Sequence, residues 1–216
     1  DLLACYANEL ALATAFPESS KVAAMNYYFI KGYQMGLGEM MDIHFTRREI
    51  SEKQIDQLNY LKTSTYTTEG PMVMGGILAG ADRVKLSLLR RAGRALGSAF
   101  QIKDDLLGMV DESNVIGKDS GSDLREGKTN KVVKAVLSTS PPREKKIIKD
   151  YLAGSKKFPA RLVQTLIKKN IKQGEIDSML EKDLTKAKKA ISETKIAKEY
   201  LQELNALAQY LIYRKK

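Results

Sequence analysis

Near the end of a long predicted helix, one side carries an amide and two neighbouring carboxylates. Gln101, Asp104 and Asp105 fall at positions i, i+3 and i+4, so a helix places all three on the same side. Magnesium takes carboxylate and phosphate oxygens and keeps several waters, so one or two helical acids are enough to hold it. The pattern predicts either a site for a metal–diphosphate complex or a carboxylate pair that faces solvent or pairs with Lys103 and Lys118.

The segment after this pair supplies cations and flexible backbone. Lys118 and Lys128 each follow a glycine within a short polar stretch. Lysine binds phosphate as a point charge, and glycine lets backbone N–H groups come close to a ligand. Upstream, Lys62-Thr63 offers another cation and a hydroxyl on a different predicted helix, and Glu39 and Asp42 add two carboxylates. Together these residues favour diphosphate binding over a solvent-facing pair.

The elements that must position these residues are helices. Apolar residues recur at helical spacing along almost the whole chain, and no segment of period 2 is bounded by hairpin turns. This predicts an all-α fold, a helical bundle formed by one domain over residues 1–216. The predicted helices are 1–15, 20–44, 51–66, 71–80, 82–109, 131–138, 142–153, 159–172, 174–193 and 195–213.

Some local features interrupt this pattern. Gly70-Pro71 is typical of a break between helices. Residues 110–130 are polar and contain several glycines, which predicts a long loop that is either functional or disordered. The chain also begins at Asp1, without an initiator Met, inside a predicted helix, so we expect it to be a piece of a longer protein.

Composition excludes several classes of protein. The 216 residues are 43% hydrophobic and 29% charged, which is typical of a globular domain. The single cysteine, Cys5, permits no internal disulfide and suits a reducing cytoplasm. The chain has no uncharged apolar run long enough for a transmembrane helix and no signal peptide, which predicts a soluble, cytoplasmic protein.

The net charge of +10 leaves the kind of partner open. It would suit nucleic acid, an anionic membrane surface or a small polyanion such as a diphosphate. Much of the excess lies in the C-terminal third, where lysines alternate with acidic and aliphatic residues, as on solvated helix faces. The chain has no RNA-binding signature and no paired-cysteine zinc motif, so we expect no nucleic-acid partner.

The motifs FQIKDDLLG (100–108) and GKDSGSDLREGK (117–128), with GLGEMMDI (36–43) and KTSTYTTEGP (62–71) upstream, carry a family resemblance. In this order they resemble trans-isoprenyl diphosphate synthases, particularly the short-chain geranylgeranyl type. The resemblance runs from residue 1 to about 140. It implies a bundle around a central cavity, of which this chain would be the C-terminal two thirds, and a homodimer.

The resemblance also implies an activity and a set of site residues. Members condense isopentenyl diphosphate with an allylic diphosphate, using magnesium, and we expect geranylgeranyl diphosphate as product. By match to the motifs, Asp104 would bind the metal directly with Asp105 in support. Lys62, Lys118 and Lys128 would bind the diphosphate, and Thr63 and Gln101 would stabilise the allylic cation.

The sequence departs from the family pattern in several places. Gly108 stands where many members have a third aspartate, Glu39 where glutamine is usual, and Thr129-Asn130 where Lys-Thr is common. The first aspartate-rich motif is not in this sequence, so we expect the chain alone to be inactive. A non-catalytic helical partner of another prenyl synthase is the alternative interpretation.

Overall fold

The computed structural model describes residues 2–110 and 122–213, and these ranges contain helices and no β-strand. The predicted all-α fold is confirmed. A π-helical segment, Tyr60–Glu69, joins the third and fourth α-helices. The α-helices are α1 (Leu2–Leu12), α2 (Glu18–Phe45), α3 (Glu52–Asn59), α4 (Gly70–Leu78), α5 (Arg83–Val110), α6 (Ser122–Glu126), α7 (Lys131–Thr139), α8 (Pro142–Leu152), α9 (Ala160–Asn170), α10 (Gln173–Glu193) and α11 (Lys198–Tyr213).

Helix α5 lies at the centre of the bundle. It packs against α10, the π-helical segment and α4, and touches α6, α7, α9 and α11 as well. Ala99 and Ile102 of α5 are buried with Leu184 of α10 and Ile212 of α11 in the largest core cluster. Burial of these side chains removes apolar surface from water and fixes the rotation of α5. Another side of α5 thereby packs against the π-helical segment.

A second core cluster lies at the C-terminal end of α5. Met109 is buried there with Leu124 of α6, Val133 of α7 and Ile167 of α9. Helix α7 contributes to both clusters, since Val132 packs in the first and Val133 in the second. The chain from residue 122 onwards is therefore anchored against the end of α5.

Capping groups explain where two of the helices start. The Ser51 side chain accepts a hydrogen bond from the backbone N–H of Gln54, and the Gln54 side chain accepts one from the backbone of Ser51. The Asn130 side chain accepts a hydrogen bond from the backbone N–H of Val133 and starts α7. These starts agree with the predicted helices within one or two residues.

The predicted break at Gly70-Pro71 is wrong. Helix α3, the π-helical segment and α4 follow one another without an interruption, and Asn59, Tyr60 and Gly70 all have right-handed helical dihedral angles. Pro71 is the second residue of α4, directly after the π-helical segment, and the fixed φ of proline is compatible with a helix there. Gly70 fits because a Cβ at this position would lie 2.6 Å from the carbonyl oxygen of Thr65.

Two further features bear on the site. Residues 110–130 were predicted to form one loop, but the short helix α6 lies near the end of this range and buries Leu124. Residues 111–121 lie outside the described residues. Gly127 follows α6 with a φ of 75°, which favours glycine, and a Cβ there would lie 2.4 Å from the Leu152 carbonyl oxygen.

In the described ranges, no helix combines the length and apolar character that crossing a bilayer needs.

Candidate functional site

Four segments that are distant in sequence enclose a pocket of about 350 Å³. Asp42 comes from α2, Lys62 and Thr63 from the π-helical segment, and Gln101, Asp104 and Asp105 from α5; the connection between α6 and α7 adds Lys128. The amide and the two carboxylates predicted to share one side of α5 do line the same pocket. A polar pocket of this size can hold a small anionic group.

Asp42 is the shared partner of the two lysines. Its Oδ2 lies 2.5 Å from the Nζ of Lys62 and 3.3 Å from the Nζ of Lys128. Lys62 also lies 3.3 Å from Glu39, and Lys128 lies 2.9 Å from Glu126. Two cations from different segments are thus held side by side at the pocket wall.

These contacts keep both ammonium groups charged. Burial by itself would lower the pKa of Lys62, but the hydrogen bond to Asp42 and the charge of Asp42 outweigh it, and the pKa is raised. Burial likewise opposes the charged form of Lys128. The hydrogen bond to Glu126 and the charges of Asp42 and Asp123 nevertheless raise the pKa of Lys128 well above its ordinary value. Both side chains are therefore available as cations for phosphate oxygens.

A chain of hydrogen bonds crosses from the π-helical segment to α5. The Thr63 hydroxyl donates to the Oε1 of Gln101 at 2.5 Å. The Nε2 of Gln101 donates to the Oδ1 of Asp105 at 2.8 Å. Thr63 and Gln101 both line the pocket, so the hydroxyl oxygen of Thr63 and the amide oxygen of Gln101 are fixed at its wall.

Asp105 is the innermost member of this chain. Its side chain is buried, and within the described part of the protein its Oδ2 has no hydrogen-bond partner. Burial raises the pKa of Asp105 to about 7, the charges of Asp123 and Asp104 act in the same direction, and the hydrogen bond from Gln101 opposes the rise. A cation placed near this oxygen would favour the ionised carboxylate.

Close backbone contacts hold the π-helical segment against its neighbours. A Cβ added at Gly38 of α2 would lie 2.4 Å from the backbone nitrogen of Lys62. A Cβ added at Gly97 of α5 would lie 2.4 Å from the Ser64 side chain and 2.6 Å from its Cα. Glycine is required at both positions because any side chain would push the segment away from the pocket.

The donor set fits a magnesium ion that is shared with a ligand. Asp104 and Asp105 are carboxylates, and the buried Oδ2 of Asp105 lacks a partner among the described residues. No group of three or more His, Cys, Asp or Glu side chains within those residues is arranged to hold a metal. Magnesium commonly takes one or two protein carboxylates and completes its shell with phosphate oxygens and water. The residues present therefore suit a metal–diphosphate complex better than a metal alone.

The structure brings together most of the residues that the sequence singles out. Lys62, Thr63, Gln101, Asp104, Asp105 and Lys128 all line the pocket. Lys118 lies outside the described residues.

Sequence reasoning missed other side chains at the pocket. Asp42 appeared only as one of two carboxylates three residues apart, and its spacing gave no sign of two lysine partners. Asn59, Asp123 and Asn130 also line the pocket. Asp123 lies in the motif GKDSGSDLREGK, and this motif could have indicated that Asp123 lines the pocket. The sequence around Asn59 contains no motif that indicates a role at the pocket.

A larger cavity of about 970 Å³ lies on another side of α5, between α3, α7 and α10. Its wall includes several of the lysines that account for the positive charge of the chain. Lys131 is paired with Asp56 at 2.7 Å, and Lys186 with Asp183 at 2.9 Å. These pairs are typical of solvated helix faces.

The fold and the pocket define a class of protein: an all-α bundle whose helices present carboxylates, an amide and lysines suited to a metal–diphosphate complex. Residues 1–170 match the polyprenyl synthetase family. The chain belongs to this family.

Several relatives with assigned functions are archaeal. The chain is 31% identical over 183 residues to the geranylgeranyl diphosphate synthase of Saccharolobus solfataricus, which covers 83% of this chain and 54% of that protein. It is 32% identical over 129 residues to the short chain isoprenyl diphosphate synthase of Methanothermobacter thermautotrophicus, covering 59% of this chain and 39% of the relative. The chain thus spans about half the length of these relatives or less.

Solved structures share the fold. The crystal structure of a geranylgeranyl pyrophosphate synthase from Corynebacterium glutamicum, complexed with isoprenyl diphosphate and magnesium, superposes with a TM-score of 0.86 at 22% identity. It covers 100% of this chain and 62% of that protein. A polyprenyl synthetase from Streptomyces coelicolor gives a TM-score of 0.80 at 23% identity and covers 96% of this chain and 63% of that one.

Proposed function

We propose that the protein is a magnesium-dependent trans-isoprenyl diphosphate synthase. It would join isopentenyl diphosphate to an allylic diphosphate and release a short-chain product, for which geranylgeranyl diphosphate is our choice. One observation carries the proposal: a single pocket combines the carboxylates Asp104 and Asp105, the cations Lys62 and Lys128, and the Thr63–Gln101 pair. The names of the two archaeal relatives agree with it.

Binding of the allylic diphosphate rests on the lysines. Lys62 and Lys128 share one oxygen of Asp42 in the free protein. Diphosphate oxygens would take the place of that carboxylate as their partners, and each charged contact would contribute about 1.5–3 kcal/mol. Lys118 is proposed as a third cation on the resemblance alone.

Asp104, supported by Asp105, would hold magnesium against the diphosphate. When bound, the metal supplies charge neutralisation and positioning of the leaving group. The lysines act in the same direction, because the leaving diphosphate gains negative charge as its C–O bond breaks. Their effect is therefore larger on the transition state than on the bound substrate.

Thr63 and Gln101 would stabilise the carbon cation. Their oxygens are fixed by hydrogen bonds before substrate arrives, so little reorganisation is needed during the reaction. The allylic C–O bond breaks and the diphosphate departs with its electron pair, the double bond of isopentenyl diphosphate attacks the resulting cation, and loss of a proton forms the new double bond.

We also propose that residues 1–216 form one domain that dimerises with a second copy. α5 and α7 contribute to both main core clusters, which supports one folding unit.

Along α2, a stripe of large apolar side chains is exposed, which supports a protein partner. Its members are Val22, Phe29, Tyr33 and Met40.

The experiment that tests the activity is a product assay. The protein from the complete reading frame and the 216-residue chain are each given isopentenyl diphosphate, an allylic diphosphate and magnesium, and the product chain length is read by mass spectrometry. We expect the complete protein to form a product of defined length that disappears on chelation. We expect the 216-residue chain to bind pyrophosphate only with magnesium and to form no product by itself.

The same assay separates the alternative, a non-catalytic partner of another synthase. That interpretation requires no product from the complete protein and a change in rate or product length when a separate synthase is added. The presence of Lys62, Gln101 and Asp104 in one pocket favours the enzyme, because a partner without chemistry has no need of them.

A further inference from the structure

An ionic cluster around a buried glutamate joins the two ends of the π-helical segment. Glu69, the last residue of the segment, is completely buried. Its Oε1 lies 2.6 Å from the Nζ of Lys31, and its Oε2 accepts a hydrogen bond from the Nε of Arg94 at 2.9 Å. Tyr27 donates its hydroxyl to the same carboxylate at 2.9 Å. The segment is thus bonded to both α2 and α5 at its C-terminal end.

Tyr60, the first residue of the segment, joins the same cluster. Its hydroxyl lies 3.5 Å from the Oε1 of Glu69 and receives a hydrogen bond from Arg94 at 2.8 Å. The Nζ of Lys31 lies 3.3 Å from this hydroxyl, and the guanidinium of Arg94 lies 4.2 Å from the centre of the Tyr60 ring. Both ends of the π-helical segment therefore meet at one set of charges.

This meeting depends on the π-helical geometry. In an α-helix, residues nine apart are separated by about two and a half turns and face opposite sides. The i to i+5 hydrogen bonds of a π-helix widen the turn. In the structure, the side chains of Tyr60 and Glu69 lie on the same side and touch. An α-helical register over Tyr60–Glu69 would separate them and leave buried charges without partners, which is costly.

The charges of the cluster persist at neutral pH. Burial by itself would raise the pKa of Glu69, but hydrogen bonds from Lys31, Arg94 and Tyr27 outweigh it and hold the pKa below its ordinary value. Burial opposes the charge of Lys31 as well, and the contacts with Glu69 and Tyr60 raise its pKa in spite of this. The cluster is therefore a lasting ionic tie at the pH of the reaction.

The residues between the two ends are those of the proposed active site. Lys62 and Thr63 lie two and three residues after Tyr60 and line the pocket, whereas Tyr60 and Glu69 are not among its lining residues. The backbone contacts of Gly93 with Glu69 and of Gly97 with Ser64 leave the segment little freedom to shift as a whole. The rotation of Lys62 and Thr63 into the pocket is then set by the helical register.

We propose that Glu69 is a positioning residue: by joining both ends of Tyr60–Glu69 through Lys31 and Arg94, it selects the π-helical register that directs Lys62 and Thr63 into the pocket. The inference rests on the proposed function for its effect on turnover. Its structural part, the choice of register, does not depend on that function.

The test compares Glu69→Gln with a matched control, Glu144→Gln. Glu144 is also a carboxylate that binds a lysine and an amide, Lys169 and Asn170, but it lies on α8 away from the pocket. Tyr60→Phe is the milder second variant, since it keeps the ring and removes only the hydroxyl. The kcat and KM of the complete protein are measured per folded molecule, and amide exchange of residues 60–69 is followed in the 216-residue chain.

We expect Glu69→Gln to lower kcat per folded molecule by about tenfold or more, because small displacements of catalytic groups are costly. Tyr60→Phe should lower kcat less, and Glu144→Gln should not change it. Amide exchange of residues 60–69 should rise in Glu69→Gln and Tyr60→Phe. If Glu69→Gln does not fold, Tyr60→Phe decides the question by the same readings.

Unchanged kcat and unchanged exchange in folded Glu69→Gln or Tyr60→Phe would overturn the inference. A lower melting temperature with unchanged kcat would also overturn it, because Glu69 would then serve stability alone. The parent protein is assayed first. A parent that forms no product contradicts the proposed function, whereas an active parent with equally active variants contradicts only the role of Glu69.

Discussion

The hydroxyl of Thr63 donates to the Oε1 of Gln101 over 2.5 Å and joins the π-helical segment to α5 at the pocket wall. The two residues are 38 positions apart in the chain. Because Gln101 in turn donates to Asp105, the orientation of its amide is fixed from both ends. The contact makes the placement of the segment relative to α5 a direct determinant of the proposed chemistry.

Thr63→Val tests this contact. Valine has nearly the shape of threonine but lacks the hydroxyl, so Gln101 loses its donor and the site loses one oxygen. We expect kcat to fall by about tenfold or more. Thr63→Ser keeps the hydroxyl and should retain most of the activity in steady-state assays. Equal activity of Thr63→Val and the parent would contradict the assignment.

Asp104→Asn tests the metal-binding role. The amide keeps the size of the side chain and removes the charge that would bind magnesium, so turnover should fall by about two orders of magnitude or more. Thermal unfolding should change little, since Asp104 is only half buried. Asp177→Asn, at an exposed aspartate of α10, is the control and should leave both readings unchanged. Near-normal turnover of Asp104→Asn would rule out the role.

Asp105 gives the metal-free protein a specific pH dependence. Its pKa rises from 3.8 in the unfolded chain to about 7 in the folded protein. Below both pKa values the carboxyl is protonated in the folded and the unfolded state. Between the two pKa values only the unfolded chain ionises, so the free energy of unfolding falls as pH rises, by up to about 4 kcal/mol, and then levels off.

Asp105→Asn should remove that contribution. The difference in unfolding free energy between variant and parent should grow in favour of the variant from about pH 4 to about pH 7. Urea unfolding in the presence of a chelator measures this difference. A difference that stays constant over the window would show that Asp105 is ionised in the folded protein.

Lys62 and Asp42 should affect ligand binding in opposite directions. Lys62→Met removes a cation from the pocket and should weaken magnesium-dependent pyrophosphate binding by about tenfold or more. Asp42→Asn removes the carboxylate that occupies both lysines, so the same binding should become severalfold tighter. Calorimetry on the 216-residue chain measures both.

Lys169→Met is the control for these variants, because Lys169 forms an ion pair on the surface of α9. It should leave the affinity unchanged. Weaker binding in Asp42→Asn would show that the carboxylate positions the lysines more than it competes with the ligand.

The apolar stripe on α2 predicts a dimer. Phe29→Lys places a charge in the middle of the exposed stripe and should shift the protein to a monomer in light-scattering measurements. Leu162→Lys, at a partly exposed position of α9, should leave the oligomeric state unchanged. A parent protein that is already monomeric would contradict the prediction.

Much of the fold followed from the sequence because helix starts are determined locally. Ser51 and Asn130 cap their helices through bonds that span three residues, and the apolar periodicity of α5 predicted its whole length. The common side of Gln101, Asp104 and Asp105 also needs only the pitch of one helix. These features depend on interactions between neighbours in the chain.

The sequence by itself determined the class of fold and the residues of α5 that face the pocket, while tertiary structure decided how the pocket works. Asp42 meets Lys62 and Lys128 only because α2, the π-helical segment and the end of α6 pack together. The π-helical register itself, missed in favour of an α-helix and a break, depends on contacts of Glu69 with Lys31 and Arg94 on two other helices. Contacts between residues far apart in the chain depend on how whole helices pack, and the periodicity of a single helix carries no record of that packing.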